Sequence, residues 1–489
     1  MWDKKGLKEL ISEKLKDNLF VVVSNREPYI HRYSKGNGIE CIVPASGVVM
    51  ALDPVLKACE GVWIAHGSGD ADKKVVDEKN HISVPPEDPQ YTLRRIWLNK
   101  AEENGYYYGF ANETLWPLSH IVYTKPKFDE SDWKYYKMVN ERFAQAVLDE
   151  IKGKPAVVFV QDYHFTLVPR LIKAARPDVK VALFWHIPWP NSEASRICPW
   201  IKEILSGLLG ADLLGFHIHE HVQNFLETVN INLEAKVNMP ASSVMYKGIE
   251  TLVRPYPISV DYEGIKKLAK SQKVKNLQES LKKELGITSQ LIGISTDRLD
   301  YTKGIIERFQ AIDRFFEKYP EYIGKISFVQ AGVLSRIHIQ RYKELNDEIN
   351  ALVEHINWKY SGDHWVPIIL VRRHFNPIEL LALNRLADIC LISSLHDGMN
   401  LVAKEFVTST EPGKGMLVLS KFTGAARELT GAVTINPYAP DSFADAIKEA
   451  LEMPTQEKKR RNKKMKEQIA ENNIYKWAGK IIEALLRLA

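Results

Sequence analysis

The sequence predicts an α/β protein of two doubly wound domains, and three features predict it. Short apolar, β-branched runs alternate with helical patterns, which is the signature of parallel sheets covered on both faces. The alternation runs twice, with a break at Arg254-Pro255-Tyr256-Pro257 where two prolines discourage regular structure. Several apolar runs also end in acids, imidazoles or cations, so polar groups stand at strand carboxyl ends, the ligand side of an open parallel sheet. The expected layout is a first domain over 1–258 and a second over 259–472, facing one another across a cleft, with a closing helix over 473–489.

A chain of 489 residues is too long for one ordinary core. Its 45% hydrophobic and 26% charged content is that of a soluble globular protein. A net charge of +5 is small for this length and speaks against a nucleic-acid partner. Cys41, Cys59, Cys198 and Cys390 show no metal-type or CxxC spacing, and no signal peptide or membrane-length apolar run is visible. These features predict a cytoplasmic location and no membrane partner.

In chain order, Leu19–Ser24 is an apolar run followed by Asn25-Arg26, which places Arg26 where an anion would bind. A small-residue turn at Ala45-Ser46-Gly47 opens a helix whose first amides suit a phosphate. Residues 105–120 are dense in aromatics, among them Tyr107 and Trp116, a composition that serves a core or a sugar site. Residues 133–151 predict an amphipathic helix. Val157–Val160 ends in Gln161-Asp162-Tyr163-His164, and Val181–Trp185 ends in His186. His217, His219 and His221 alternate, but a helix starting there would scatter them rather than gather a metal.

In the second half, Leu291–Ser295 leads into Arg298-Leu299-Asp300-Tyr301-Thr302-Lys303-Gly304, two cations five residues apart that suit a diphosphate. Ile326–Gln330 runs toward Arg336. The apolar run Ala387–Ile392 precedes Asp397-Gly398-Met399-Asn400-Leu401-Val402-Ala403-Lys404-Glu405. That is a strand, a turn with an exposed acid, and a helix whose positive end seats a diphosphate; the alternative is that Asp397 is only a turn residue and helix cap.

Taken together, Ser24-Asn25-Arg26, Leu115-Trp116-Pro117, Asp162-Tyr163-His164, His186-Ile187-Pro188, Arg298 to Gly304, Asp397 to Glu405 and Gly424-Ala425-Ala426 resemble the trehalose-6-phosphate synthase family, glycosyltransferase family 20. The resemblance spans nearly the whole chain. It implies the GT-B fold, with the last helix returning to the first domain, and a glucosyltransferase that retains anomeric configuration. Arg298 and Lys303 would bind the donor diphosphate, helped by amides of Gly398, Met399, Asn400, Leu401 and Val402 and by Gly47. Asp397 and His186 would hold donor sugar hydroxyls, and Glu405 the ribose diol. Arg26 and Arg336 would grip the acceptor phosphate, beside Tyr107, Trp116 and Asp162. The implied reaction is transfer from a nucleotide-glucose to glucose 6-phosphate, giving α,α-trehalose 6-phosphate, with no metal or cofactor and a possible homo-oligomer.

Three stretches depart from the family pattern: a long Glu27–Ala45 segment, Ser46-Gly47 in place of a glycine pair, and the histidines after Phe216. They leave the acceptor open between glucose 6-phosphate and glycerol 3-phosphate, which would give glucosylglycerol phosphate. A catalytically silent sugar-phosphate sensor is the reading from another class. The donor base, UDP, ADP or GDP, is not legible.

Overall fold

Burial on both faces turns the β-branched runs into parallel strands, and Val21, Val22 and Val23 are fully enclosed in the first of them. The computed structural model describes every residue except Met1, Lys16, Asp17, Lys35, Asn37, Ala45, Ser46, Ser335, Ile337, Asp363 and Ala489. The chain divides into two units, Met1–Ile258 with Ile474–Ala489, and Ser259–Asn473.

The first unit carries β1 (Leu19–Arg26), β2 (Ile30–Tyr33), β3 (Ile39–Ile42), β4 (Val62–His66), β5 (His81–Val84) and β6 (Tyr91–Ile96). After a long helix, Glu130–Ile151, come β7 (Ala156–Gln161), β8 (Lys180–Phe184), β9 (Leu213–Phe216), β10 (Lys236–Asn238), β11 (Ser243–Tyr246) and β12 (Ile249–Pro255). Its main sheet runs β10-β11-β12-β9-β8-β7-β1-β4-β6-β5. The central strands are parallel, and the strand order reverses between β1 and β7. The final helix, Ile474–Leu486, belongs to this unit: Trp477 packs on Phe159 and Phe184, and Lys180 Nζ donates to the Leu488 carbonyl at 2.6 Å.

The second unit carries β13 (Leu291–Thr296), β14 (Ile326–Ala331), β15 (Ile368–Val371), β16 (Ile389–Ile392), β17 (Met416–Ser420) and β18 (Val433–Ile435). They form one all-parallel sheet in the order β15-β14-β13-β16-β17-β18. Counted from its own first strand this is 3-2-1-4-5-6, the dinucleotide-fold order, with its switch point between β13 and β16.

The structure adds elements that the sequence pattern does not announce. The hairpin β2–β3 fills part of the Glu27–Ala45 segment; β3 is mostly exposed, so it lacks an apolar run. Residues Arg254-Pro255, read as a domain exit, finish β12, which pairs in parallel with β9 as far as Pro255. A proline at a strand's end forfeits little, because the ladder stops there. The aromatic stretch is wound as a π-helix, Asn104–Leu115. Propensity gives no warning of that rare form, which gathers at functional sites.

Candidate active site

In the second unit, the loops after β13 and β16 diverge from the switch point, and side chains from both meet there. Asp300 caps a 3-10 turn, Tyr301–Lys303, by accepting from the Thr302 amide at 3.0 Å. Lys303 Nζ then reaches Asp397 Oδ2 at 2.5 Å, each side chain being 15% exposed. Asp397 is therefore not the exposed acid the sequence suggests: Ser394 Oγ and Asn400 Nδ2 also lie on its Oδ2 at 3.2 and 3.1 Å. Nor is it the helix cap. That role falls to Asn400, whose side chain accepts from the Ala403 amide at 3.0 Å ahead of the helix Leu401–Ser409. Asn400 holds φ at +101°, an uncommon backbone for a side-chain-bearing residue, and such strain gathers at ligand sites. The helix start directs its first-turn amides, including those of Leu401 and Val402, toward the switch point.

Two glycines permit this closeness. Gly304 has φ +60°, and a Cβ there would lie 2.2 Å from the Ser393 carbonyl oxygen. At Gly424 a Cβ would lie 2.1 Å from the Gly398 carbonyl oxygen; the Gly424 amide donates to the Asp397 carbonyl at 3.0 Å, and that of Ala425 to Met399 at 2.9 Å. We expect Gly424→Ala to displace the Gly398–Met399 backbone and to weaken binding of a nucleoside diphosphate at least about tenfold, as titration calorimetry would show. Unchanged affinity would remove this loop from the site.

Arg298 is half-buried in the loop between β13 and the 3-10 turn. Burial pushes Asp300 up, but Arg336, Arg298, the Thr302 amide and Lys303 outweigh it and hold the carboxyl below its ordinary value. Arg336, only 5% exposed, lies 3.4 Å from Asp300 Oδ2 and donates to Tyr342 Oη at 2.5 Å. Its guanidinium is fixed in place by the unit's own acid.

Glu405 sits one turn into the helix, and burial pushes its carboxyl up to about 7. A raised acid pKa means that the folded chain keeps a proton the unfolded chain has released. Stability from this group is thus present below the ordinary carboxylate range and is lost as pH rises through about 7. Glu405→Gln should melt with the wild type near pH 4 and above it near pH 8, without ligand; a gap that fails to widen over that range would contradict the burial.

In the first unit, a second set collects at the carboxyl ends of β1, β7 and β8. Arg26 is exposed at the end of β1, after a register shift between Ser24 and Arg26. Its neighbour Glu27 is buried against Arg95 Nε at 2.7 Å and Ser68, while Arg95 also meets Asp72 at 2.9 Å. This charged knot fixes the chain on the far side of Arg26, and His31 of the hairpin joins it through its amide, 2.8 Å from Asp72 Oδ1. Tyr106 donates to Asn25 Oδ1 at 2.9 Å, and Tyr107 stacks on His164 with centroids 5.8 Å apart. Asp162, at φ +73°, accepts from the Tyr163 and His186 amides at 2.9 and 3.1 Å. His186 Nε2 lies 2.8 Å from Gln161 Oε1, and burial pushes its pKa down to about 3, so the ring is neutral and can only exchange hydrogen bonds. Trp116 is 6% exposed and packs on His120 and Tyr163, more wall than open platform.

Gly47 is the first residue of the helix Gly47–Cys59; Ala45 and Ser46 before it lie outside the described residues, as does the side chain of Cys59. Cys41, Cys198 and Cys390 are free thiols. Of the three histidines, His217 is buried with Nε2 3.1 Å from the His186 carbonyl, His219 is exposed at the start of the helix His219–Asn232, and His221 is buried. Among the described residues no helix is long and apolar enough to cross a membrane.

The family model for Glycosyltransferase family 20 matches residues 18–487. The chain belongs to that family. Among relatives, it is 30% identical over 488 residues to the Schizosaccharomyces pombe α,α-trehalose-phosphate synthase [UDP-forming], covering 99% of this chain and 93% of that one. A Dictyostelium discoideum α,α-trehalose-phosphate synthase [UDP-forming] A is 34% identical across 95% of this chain, which spans only 62% of that protein's length. An E. coli structure described as trehalose-6-phosphate bound with UDP-2-fluoro glucose matches with a TM-score of 0.85 at 30% identity, covering 96% and 99% of the two chains. A Burkholderia xenovorans α,α-trehalose-phosphate synthase (UDP-forming), solved in complex with glucose-6-phosphate, gives 0.85 at 30% identity and covers 96% and 100%.

The resemblance read from the sequence motifs is thus borne out, as are the GT-B fold class and the glycosyltransferase assignment. In this family 20 chain two buried cations beneath the site, one inside the Asp397–Glu405 motif and one outside every motif, have no role in the sequence reading. Lys404, 1% exposed, pairs with Glu428 at 2.5 Å and ties the helix Leu401–Ser409 to the end of the Gly424–Arg427 turn. Arg308 is equally enclosed. Its signal was available: it lies on the same helical face as Ile305, Phe309 and Ile312, where a cation needs partners.

Proposed function

We propose that this chain is a retaining glucosyltransferase that moves glucose from UDP-glucose to glucose 6-phosphate and releases α,α-trehalose 6-phosphate. The observation that supports it most is the Lys303–Asp397 contact at the switch point of the second sheet, flanked by Arg298 and a helix start. Such a place suits a sugar diphosphate: cations and amides for the phosphates, and a carboxylate for sugar hydroxyls. Uridine as the base is supported by the UDP-forming relatives and by the sugar nucleotide bound in the E. coli structure.

In the proposed reaction the bond between the glucose C1 and the diphosphate oxygen breaks as negative charge builds on the diphosphate. In this reading Arg298, Lys303 and the first helical amides stabilise that charge. The acceptor hydroxyl oxygen bonds to C1 from the face the diphosphate leaves, and its proton passes to a departing phosphate oxygen. No protein nucleophile takes part, so the anomeric configuration is kept. Asp397 and the neutral His186 hold donor hydroxyls, Glu405 takes the ribose diol, and Gly47 approaches the diphosphate. Arg26 and Arg336 are the proposed phosphate ligands, with Tyr107, Trp116 and Asp162 serving the acceptor sugar. The proposed setting is the cytoplasm.

UDP release measured with glucose 6-phosphate, glucose and glycerol 3-phosphate as acceptors tests the assignment. Glucose 6-phosphate should be turned over well and glucose hardly at all; preference for glycerol 3-phosphate would replace the acceptor. Trp116→Phe is the informative variant, because Trp116→Ala would open a cavity in a packed wall at a cost of ~3–5 kcal/mol. Because the proposed charge stabilisation is carried by arginine, lysine and helix amides, transfer should proceed in EDTA. Complete loss in chelator, restored by magnesium or manganese, would overturn that part.

A further inference from the structure

We propose that Arg308 and Ser393 are positioning residues for the donor site, acting through the Lys303 turn; this rests on the reading of the second unit as the nucleotide-sugar site. Arg308 stands on the helix Ile305–Lys318 and is 1% exposed. Its guanidinium spreads over three strand ends. Nη2 meets Asp297 Oδ2 at 2.7 Å, Nη1 meets Gln330 Oε1 at 2.5 Å, and Nε donates to Ser393 Oγ at 3.0 Å. Nη2 also lies 3.4 Å from the Lys303 carbonyl. Ser393 Oγ in turn lies 3.0 Å from that carbonyl and 2.8 Å from the carbonyl of Gly304.

The contacts therefore join the residue before Arg298, the backbone of Lys303 and the loop that leads to Asp397. These are the two sides of the switch point. Packing alone does not ask for a cation here, since Ile305, Phe309 and Ile312 fill the neighbouring positions with apolar groups. A planar fork with donors in fixed directions holds three acceptors on separate elements at once, whereas a lysine's three donors all sit on one freely rotating nitrogen. Arg308 thereby fixes where the Lys303 ammonium and the Asp397 loop stand before donor arrives.

The test compares Ser393→Ala and Arg308→Lys with wild type in the full-length chain, using UDP affinity, donor and acceptor KM, kcat and thermal midpoint. Both variants should lose about tenfold to a hundredfold in donor kcat/KM, with acceptor KM within about twofold, because misplacement of a clamp is felt at the donor. In a Lys303→Ala background, Ser393→Ala should cost little further UDP affinity, since its effect runs through Lys303. Ser393→Ala loses only a hydroxyl and decides the matter if Arg308→Lys does not fold. Donor kcat/KM within twofold of wild type in Ser393→Ala, or an equal loss of UDP affinity with and without Lys303, would overturn the proposal. If Lys303→Ala alone leaves UDP affinity and turnover unchanged, the donor-site reading fails first, and this inference with it.

Discussion

Replacing Lys303 with alanine is expected to lower turnover about a hundredfold to a thousandfold while leaving the chain folded. The magnitude is that of losing one charge-stabilising donor where the proposed reaction builds negative charge, typically ~2.7–4 kcal/mol. Folding should survive because the lost partner, Asp397, keeps Ser394 and Asn400 within reach of the same oxygen. The 3-10 turn should survive as well, since Asp300 caps it through the backbone and hydroxyl of Thr302 rather than through Lys303. Arg298→Ala should behave alike. Steady-state kinetics beside a thermal melt separates the outcomes: near wild-type turnover would end the diphosphate-clamp assignment, whereas a collapsed melting transition would assign Lys303 to the fold.

Arg26→Ala carries the second large effect, and it should fall on the acceptor. Arg26 is exposed at the end of β1, with Glu27 behind it locked by Arg95 and Ser68, so its backbone is fixed while its side chain is open to a ligand. Each charged hydrogen bond lost to a phosphate is worth ~1.5–3 kcal/mol. The acceptor KM should therefore rise by about ten- to a hundredfold and the donor KM by far less. Equal increases in both would place Arg26 outside the acceptor site.

The central strands were legible because a strand buried on both faces is written mostly in apolar residues: Val157–Val160 lies within β7, and the end of the run Ala387–Ile392 forms β16. The candidate site residues were legible because ligands of parallel sheets sit at strand carboxyl ends, which is where Arg26, Asp162, Arg298 and Asp397 follow their strands. What stayed hidden has physical reasons. The hairpin β2–β3 and the strands β10 and β11 are short and partly exposed, so they carry no strong pattern. The π-helix over Asn104–Leu115 has no propensity signature. Asp397 looked like an exposed cap because its partner Lys303 lies 94 residues away in the chain, and only the strand order brings them together. Arg308 and Lys404 escaped for the same reason: a cation on an apolar helical face declares its burial but not its partners.

The most direct test of the proposed glucosyl transfer is the identity of the product. The chain should be incubated with UDP-glucose and glucose 6-phosphate, and the product examined by mass spectrometry and by proton and carbon NMR. The expected product is a disaccharide monophosphate with no reducing end and two α-configured anomeric centres. A β-configured linkage, a reducing disaccharide, or UDP-glucose binding with no transfer to any phosphorylated acceptor would contradict it.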